Sequence, residues 1–177
     1  ANAKTLLAHA ILAGSGGYGL SLSQPKYAGP AYGISLVSGC VGFLANATGE
    51  DTLLKLHKYT SGLCRCLEVP LMASEICLGN GIKLELAALN LLYPSIHYIA
   101  KYILKKDDIA KQSFLEASHA ISICAIAYFS FLEENWWGVG LAAVYAMSSF
   151  GQNILDEPQA STALMGIGNF IYILKWK

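Results

Sequence analysis

The sequence predicts an all-α fold: a polytopic integral membrane bundle of six to seven apolar helices with short loops, forming a single transmembrane helical domain over residues 1–177. Three observations predict it. The chain is 54% hydrophobic before its 17 glycines are counted and only 14% charged, with a formal net charge of +0, where soluble domains average about 25% charged residues. Its apolar residues fall in successive runs near the length that crosses a bilayer, about 20 helical residues for about 30 Å of hydrocarbon. The densest charge lies in the short breaks between those runs. This balance argues against a disordered chain, a coiled coil, a disulfide scaffold and a nucleic-acid binder.

The first run, residues 5–22, has His9 as its only ionisable group, and the second, residues 28–47, carries no charge. Between them a Ser/Gln/Pro/Lys stretch ends the first helix. Gly49-Glu50-Asp51-Thr52 supplies caps before the third run, residues 59–78. That run holds Arg65, Glu68 and Glu75, with Pro70 inside it. Gly79-Asn80-Gly81 is a turn signal before the fourth run, residues 84–104, where Pro94 interrupts the helical ladder. Lys105-Lys106-Asp107-Asp108 must lie in water. The fifth run, residues 114–132, carries Glu116 and His119, and Glu133-Glu134-Asn135 turns it into Trp136-Trp137, an interfacial aromatic pair. The sixth and seventh runs, residues 136–150 and 160–174, are short enough to span only a thin bilayer or to be re-entrant. Asp156-Glu157-Pro158 separates these two.

Lys and Arg in short loops set orientation. With Lys4 and the N-terminus cytoplasmic, the inner loops hold Lys55, Lys58, Lys105, Lys106 and Lys111, and the outer loops Lys26 and Lys83. A seventh full span would break this bias by placing Lys175 and Lys177 outside. Five cysteines, an odd number in or beside apolar runs, read as reduced core residues rather than a disulfide frame.

Polar groups at membrane depth are the candidate sites, because each charge costs about 2.5–3.5 kcal/mol there and must face protein or water. Arg65, Glu68, Met72 and Glu75 follow a 3-4-3 spacing and form one stripe, with Arg65 and Glu75 expected to point inward. Pro70 has no N–H, so the Cys66 carbonyl one turn earlier needs a donor from a neighbouring helix, a side chain or a water. His97 shares a face with Asn90, Tyr93 and Lys101; Glu116 and His119 share one with Gln112. Glu116-x-x-His119 matches one unit of a di-iron bundle, but those sites need a second such unit. No zinc spacing occurs, so no metal, cofactor or catalytic residue is assigned. Residues 14–19 match Gly-x-Gly-x-x-Gly by letter but open no helix after a strand, which removes the nucleotide reading. The same small residues make small-x-x-x-small faces: Ala13/Gly17, Ser15/Gly19, Ser35/Gly39 and Ser38/Gly42.

These features support a non-enzymatic membrane protein, an accessory or structural subunit packed in the lipid bilayer against a larger membrane-protein partner. The alternative is a small proton- or solute-coupled transporter using intramembrane Arg, Glu and His. A membrane-embedded lipid-modifying enzyme built on His97 or His119 is the third reading.

Overall fold

A computed structural model describes residues 2–22, 26–151 and 158–175, and all regular structure among them is helical. Helix α1 spans Ala3–Leu22, α2 Ala28–Thr48 and α3 Asp51–Gly79; α6 spans Gln112–Leu132, α7 Trp136–Phe150 and α8 Pro158–Lys175. Between α3 and α6 the chain runs through α4 (Leu84–Ala87), a 3-10 turn (Ala88–Leu91), α5 (Leu92–Tyr98) and a π-turn (Ile99–Ile103). The expected boundaries of most other runs agree to within two residues, but the third helix starts at Asp51, eight residues before the apolar run at 59–78, and the fourth run is not one continuous helix. Pro94 cannot donate to Asn90, and its ring crowds that carbonyl, so the turn holding Asn90 tightens to 3-10 geometry. The joints read at residues 23–25 and 156–157, and the terminal Lys177, lie outside the described residues.

The connections obey local chemistry. Gly49 closes α2 in the left-handed region at φ +69°, its N–H bonding the Ala45 carbonyl at 2.9 Å. The Asn135 side chain caps α7 by accepting from the Gly138 N–H at 3.2 Å.

Six helices close a ring. Helix α1 packs on α2, α2 on α3, α3 on α6, α6 on α7, α7 on α8, and α8 returns to α1. The broken run lies outside that ring against α3 and α6. Leu12, Val69, Met72, Ile126, Leu141 and Tyr145 fill the interior.

Glycine sets how closely the ring closes. A Cβ on Gly16 would lie 2.5 Å from the Leu36 N and Tyr32 O backbone atoms, and one on Gly39 would lie 2.7 Å from the Ala13 Cα. Helix α8 meets α1 the same way, where a Cβ on Gly166 would lie 3.1 Å from the Leu12 Cα. The small-residue faces of α1 and α2 therefore pack on each other. Of the two pairs expected on α1, Ser15/Gly19 is buried, with a Cβ on Gly19 falling 2.6 Å from the Tyr32 ring, whereas Gly17 is half-buried and would offer its Cβ only an ordinary 3.6 Å contact to the Leu36 side chain. Ser35 and Gly42 are buried as expected, and Ala13 is half-buried against Gly39.

Two helices among the described residues, Ala28–Thr48 and Gln112–Leu132, are long and apolar enough to cross a membrane. All five cysteines are free; Cys64, Cys66 and Cys77 are buried, whereas Cys40 and Cys124 are exposed on the apolar outer surface rather than in the core.

Gly16→Leu and Gly39→Leu should each lower stability by about 1–3 kcal/mol or more, since backbone must move to admit the side chain. Gly17→Leu should be neutral or slightly stabilising, because the helix gains about 0.8 kcal/mol of propensity. Thermal unfolding of the three variants in one detergent checks this; equal losses would overturn the α1–α2 register.

Candidate functional site

The inner face of α3 carries Cys64, Glu68 and Met72 at i, i+4 spacing, and Glu68 is fully buried at 0% exposure. Four other helices reach toward it. Asn169 of α8 donates its amide to Glu68 Oε1 at 2.5 Å, and the Cys64 thiol donates to Oε2 at 2.6 Å. The Asn169 carbonyl accepts from the Tyr145 hydroxyl of α7 at 3.0 Å. Its amide also reaches Ser35 Oγ of α2 at 3.1 Å and Ser15 Oγ of α1 at 3.5 Å. Both serine hydroxyls spend their own hydrogens on backbone carbonyls one turn back, Leu12 and Ala31. Two of these bonds end on Glu68, which accepts from Asn169 and from Cys64, while the serine branches end on the Leu12 and Ala31 carbonyls. Among the described residues no lysine or arginine pairs with it.

Arg65 departs from the expected inward stripe: it is exposed, about 100° round the helix from Cys64. An unpaired guanidinium is too costly to bury, so it lies at the mouths of three clefts instead. The first cleft, about 250 Å³, lies between α1, α2, α3 and α8 and reaches inward to Cys64 and Met165. His9 and His57 line it with ring centroids 4.8 Å apart. Gly42 makes room for the pair, since a Cβ there would lie 2.5 Å from the His9 ring and 2.8 Å from the His57 ring. The Nδ1 atoms of both imidazoles are buried without a hydrogen-bond partner.

The donor required at the Pro70 break comes from α6. His119 Nε2 lies 3.3 Å from the Cys66 carbonyl oxygen. A carbonyl only accepts, so Nε2 carries the hydrogen. His119 is buried by this role, whereas Glu116 is exposed and bonded to Gln112 at 3.2 Å, so the two do not act as a carboxylate–imidazole unit. They share only the edge of a cleft of about 40 Å³. Glu75 has a different task. Its Oε2 accepts from the Tyr27 N–H at 2.6 Å and the Ala28 N–H at 3.2 Å, capping α2 from the neighbouring α3 and opposing its positive end. Pro30, which has no N–H to satisfy, falls in the same first turn. His97 is buried on the peripheral run beside Tyr93, apart from the Glu68 network's partners. No group of three or more His, Cys, Asp or Glu among the described residues is arranged to hold a metal.

Asn169, Ser15, Cys64, Tyr145, His9 and His57 were not singled out as site residues from the sequence. Asn169 had a signal, being the one carboxamide in the apolar run of residues 160–174. His9 had one too, as the ionisable group of the first run, whereas Ser15, Cys64 and Tyr145 had none, because hydroxyls and thiols in apolar helices are ordinary packing residues.

His119→Phe should cost about 1–3 kcal/mol by leaving the Cys66 carbonyl bare. In a Pro70→Ala background, which restores the helical N–H, the same change should cost much less; a double-mutant cycle by thermal unfolding measures the coupling, and additive losses would refute the shared carbonyl. Glu75→Ala should destabilise by about 0.5–2 kcal/mol, the usual worth of a helix cap. Hydrogen exchange at the Tyr27 and Ala28 amides should quicken in that variant, and unchanged protection there would refute the cap.

No curated protein and no solved structure matches this chain. Residues 23–174 match the family described as Domain of unknown function (DUF4791). The match takes in α2 through nearly all of α8, including Ser35, Cys64, Glu68, Tyr145 and Asn169, and on that extent the chain belongs to the DUF4791 family.

Proposed function

We propose that this chain is a multi-pass membrane protein, with its N-terminus cytoplasmic, and that Glu68 is the proton- or cation-binding group of a small coupled carrier. One observation carries the reading: a fully buried carboxyl receives only hydrogen-bond donors and has no lysine or arginine partner among the described residues. Such a group has acceptor capacity to spare and a charge that nothing nearby offsets, which is how a site that takes up a proton or cation is built. The cleft holding His9 and His57 supports it, because it ends at the Cys64 thiol bonded to Glu68, and its two buried Nδ1 atoms are unspent.

The membrane setting draws on the outer surface. On α6, Phe114, Ile121, Tyr128 and Phe131 face outward, Ile121 at 66% exposure, and Trp136 at the start of α7 is 70% exposed. Contiguous apolar surface on this scale is foreign to a soluble monomer. The chain should remain in the membrane pellet after carbonate washing; recovery in the aqueous fraction would refute the setting.

A second reading, an accessory subunit seated on a larger membrane protein, has one observation in its favour. Leu89, Leu92, Ile96, Ile99 and Ile103 are exposed along the peripheral run at 3-4 spacing, a seam suited to a partner helix as well as to lipid. The small residues that first suggested a partner are occupied within the chain. A lipid-modifying enzyme draws least support, since the His119 Nε2 hydrogen is directed at Cys66.

Reconstitution in liposomes holding a pH-sensitive dye separates the first two readings. The protein should carry a proton flux above that of protein-free liposomes, and Glu68→Gln should remove it while unfolding stays near that of the unaltered chain. His9→Phe, at the cleft and outside the network, should slow it. No flux in the unaltered protein, or equal flux in Glu68→Gln, would refute the carrier; unchanged flux with lost stability would leave Glu68 as structural glue.

A further inference from the structure

A second cleft, of about 360 Å³, opens where the start of α3 meets the end of the broken run. Four cations line it: Lys58 and Arg65 from α3, Lys101 from the π-turn and Lys105 just beyond. Asp107 is the one acid among the described residues of its lining. Among the described residues, none of the four cations lies within ion-pair distance of a carboxylate. Like charges gathered around a concavity repel one another, and their mutual potential is lowest when an anion sits among them.

The cleft is shaped as well as charged. A Cβ on Gly62 would lie 2.7 Å from Cε1 of the Tyr102 ring, so glycine on α3 lets that ring lie against the helix as a wall. Tyr98 stacks on Tyr102 at 5.1 Å and donates to the Tyr59 carbonyl at 3.3 Å, tying the π-turn to α3. The π-turn is the local device: five-residue spacing alters the helical phase where Lys101 and Tyr102 occur, and such turns recur at functional sites. Outside the rim, Ile103 and Leu104 are exposed, so apolar surface adjoins the charged mouth.

We propose that this cleft binds a phosphate monoester, with Arg65 as the planar, two-pronged donor and the lysines as point charges around it. The chemistry is shared by two sources: a phospholipid whose headgroup is a phosphate monoester, with acyl chains that would run along the apolar surface beside Ile103, and a soluble phosphate monoester. Basic pockets between transmembrane helices hold lipid headgroups in this way. The proposal does not depend on Glu68 or on transport.

The test uses the full chain in a neutral detergent, titrated with phosphatidic acid, with glycerol 3-phosphate and with phosphatidylcholine, each followed by native mass spectrometry or calorimetry. Saturable binding of phosphatidic acid alone supports the site and assigns a lipid; binding of glycerol 3-phosphate supports it and admits a soluble ester. The double change Lys58→Gln and Lys101→Gln should weaken binding by about tenfold per cation removed, and added salt should weaken it further. Lys26→Gln with Lys83→Gln removes the same charge elsewhere and should leave affinity unchanged. Absence of binding to both phosphate probes, equal binding of phosphatidylcholine, or equal losses in the two double variants would overturn the proposal.

Discussion

The arrangement of this bundle depends on one group, the Glu68 carboxyl at the centre of the helix ring. A carboxyl without contact to solvent must be given hydrogen-bond donors, and α3 can offer only the Cys64 thiol one turn away. The remaining donor has to come from across the ring. Asn169 supplies it, and is itself oriented by Tyr145 and by the two serines of α1 and α2. Each interhelical bond of this kind is worth well under about 2 kcal/mol in a membrane bundle. Removing one partner of a buried charged group costs more, about 3–5 kcal/mol. The network therefore selects the register of five helices more than it holds them together.

Close packing makes that register attainable. Ser15 precedes Gly16, the residue that lets α1 approach the α2 backbone, and Asn169 directly follows Gly168, one of the two close-contact glycines of α8 with Gly166. A Cβ on Gly168 would lie 2.5 Å from the Tyr145 ring, whose hydroxyl orients Asn169. Glycines and polar groups are neighbours because a short serine or asparagine reaches across a helix interface only when the backbones are close. The apolar packing and the polar centre are one design.

The polar groups of α3 divide by position along the helix. Lys58 and Arg65 lie at the cleft-bearing end, Glu68 is in the ring centre, and Glu75 caps the start of α2. Pro70 leaves a single break in this ladder, and His119 fills it from α6. Three carboxyl or imidazole groups that look alike as letters thus serve as central acceptor, helix cap and carbonyl donor. Their environments, not their residue types, set those roles.

Helix existence and most limits were legible in the chain because they depend on local properties, apolar run length and the turns around Gly49 and Gly81; the start of α3 at Asp51 was not legible from run length, because its first two turns mix charged residues with leucines and form no apolar run. The need for a partner at the Cys66 carbonyl was equally legible, since it follows from proline's covalent structure. Which side chain would meet that need was not, because His119 lies 53 residues away in sequence. The same limit explains Arg65 and Gly17. Spacing places residues on one helix face to within a turn, but a shift of one residue, about 100°, decides whether a side chain meets the core or solvent. The partnership of Glu68 with Asn169 spans 101 residues; it came into being only when the ring closed, because hydrogen bonds between helices depend on distances that no local pattern encodes.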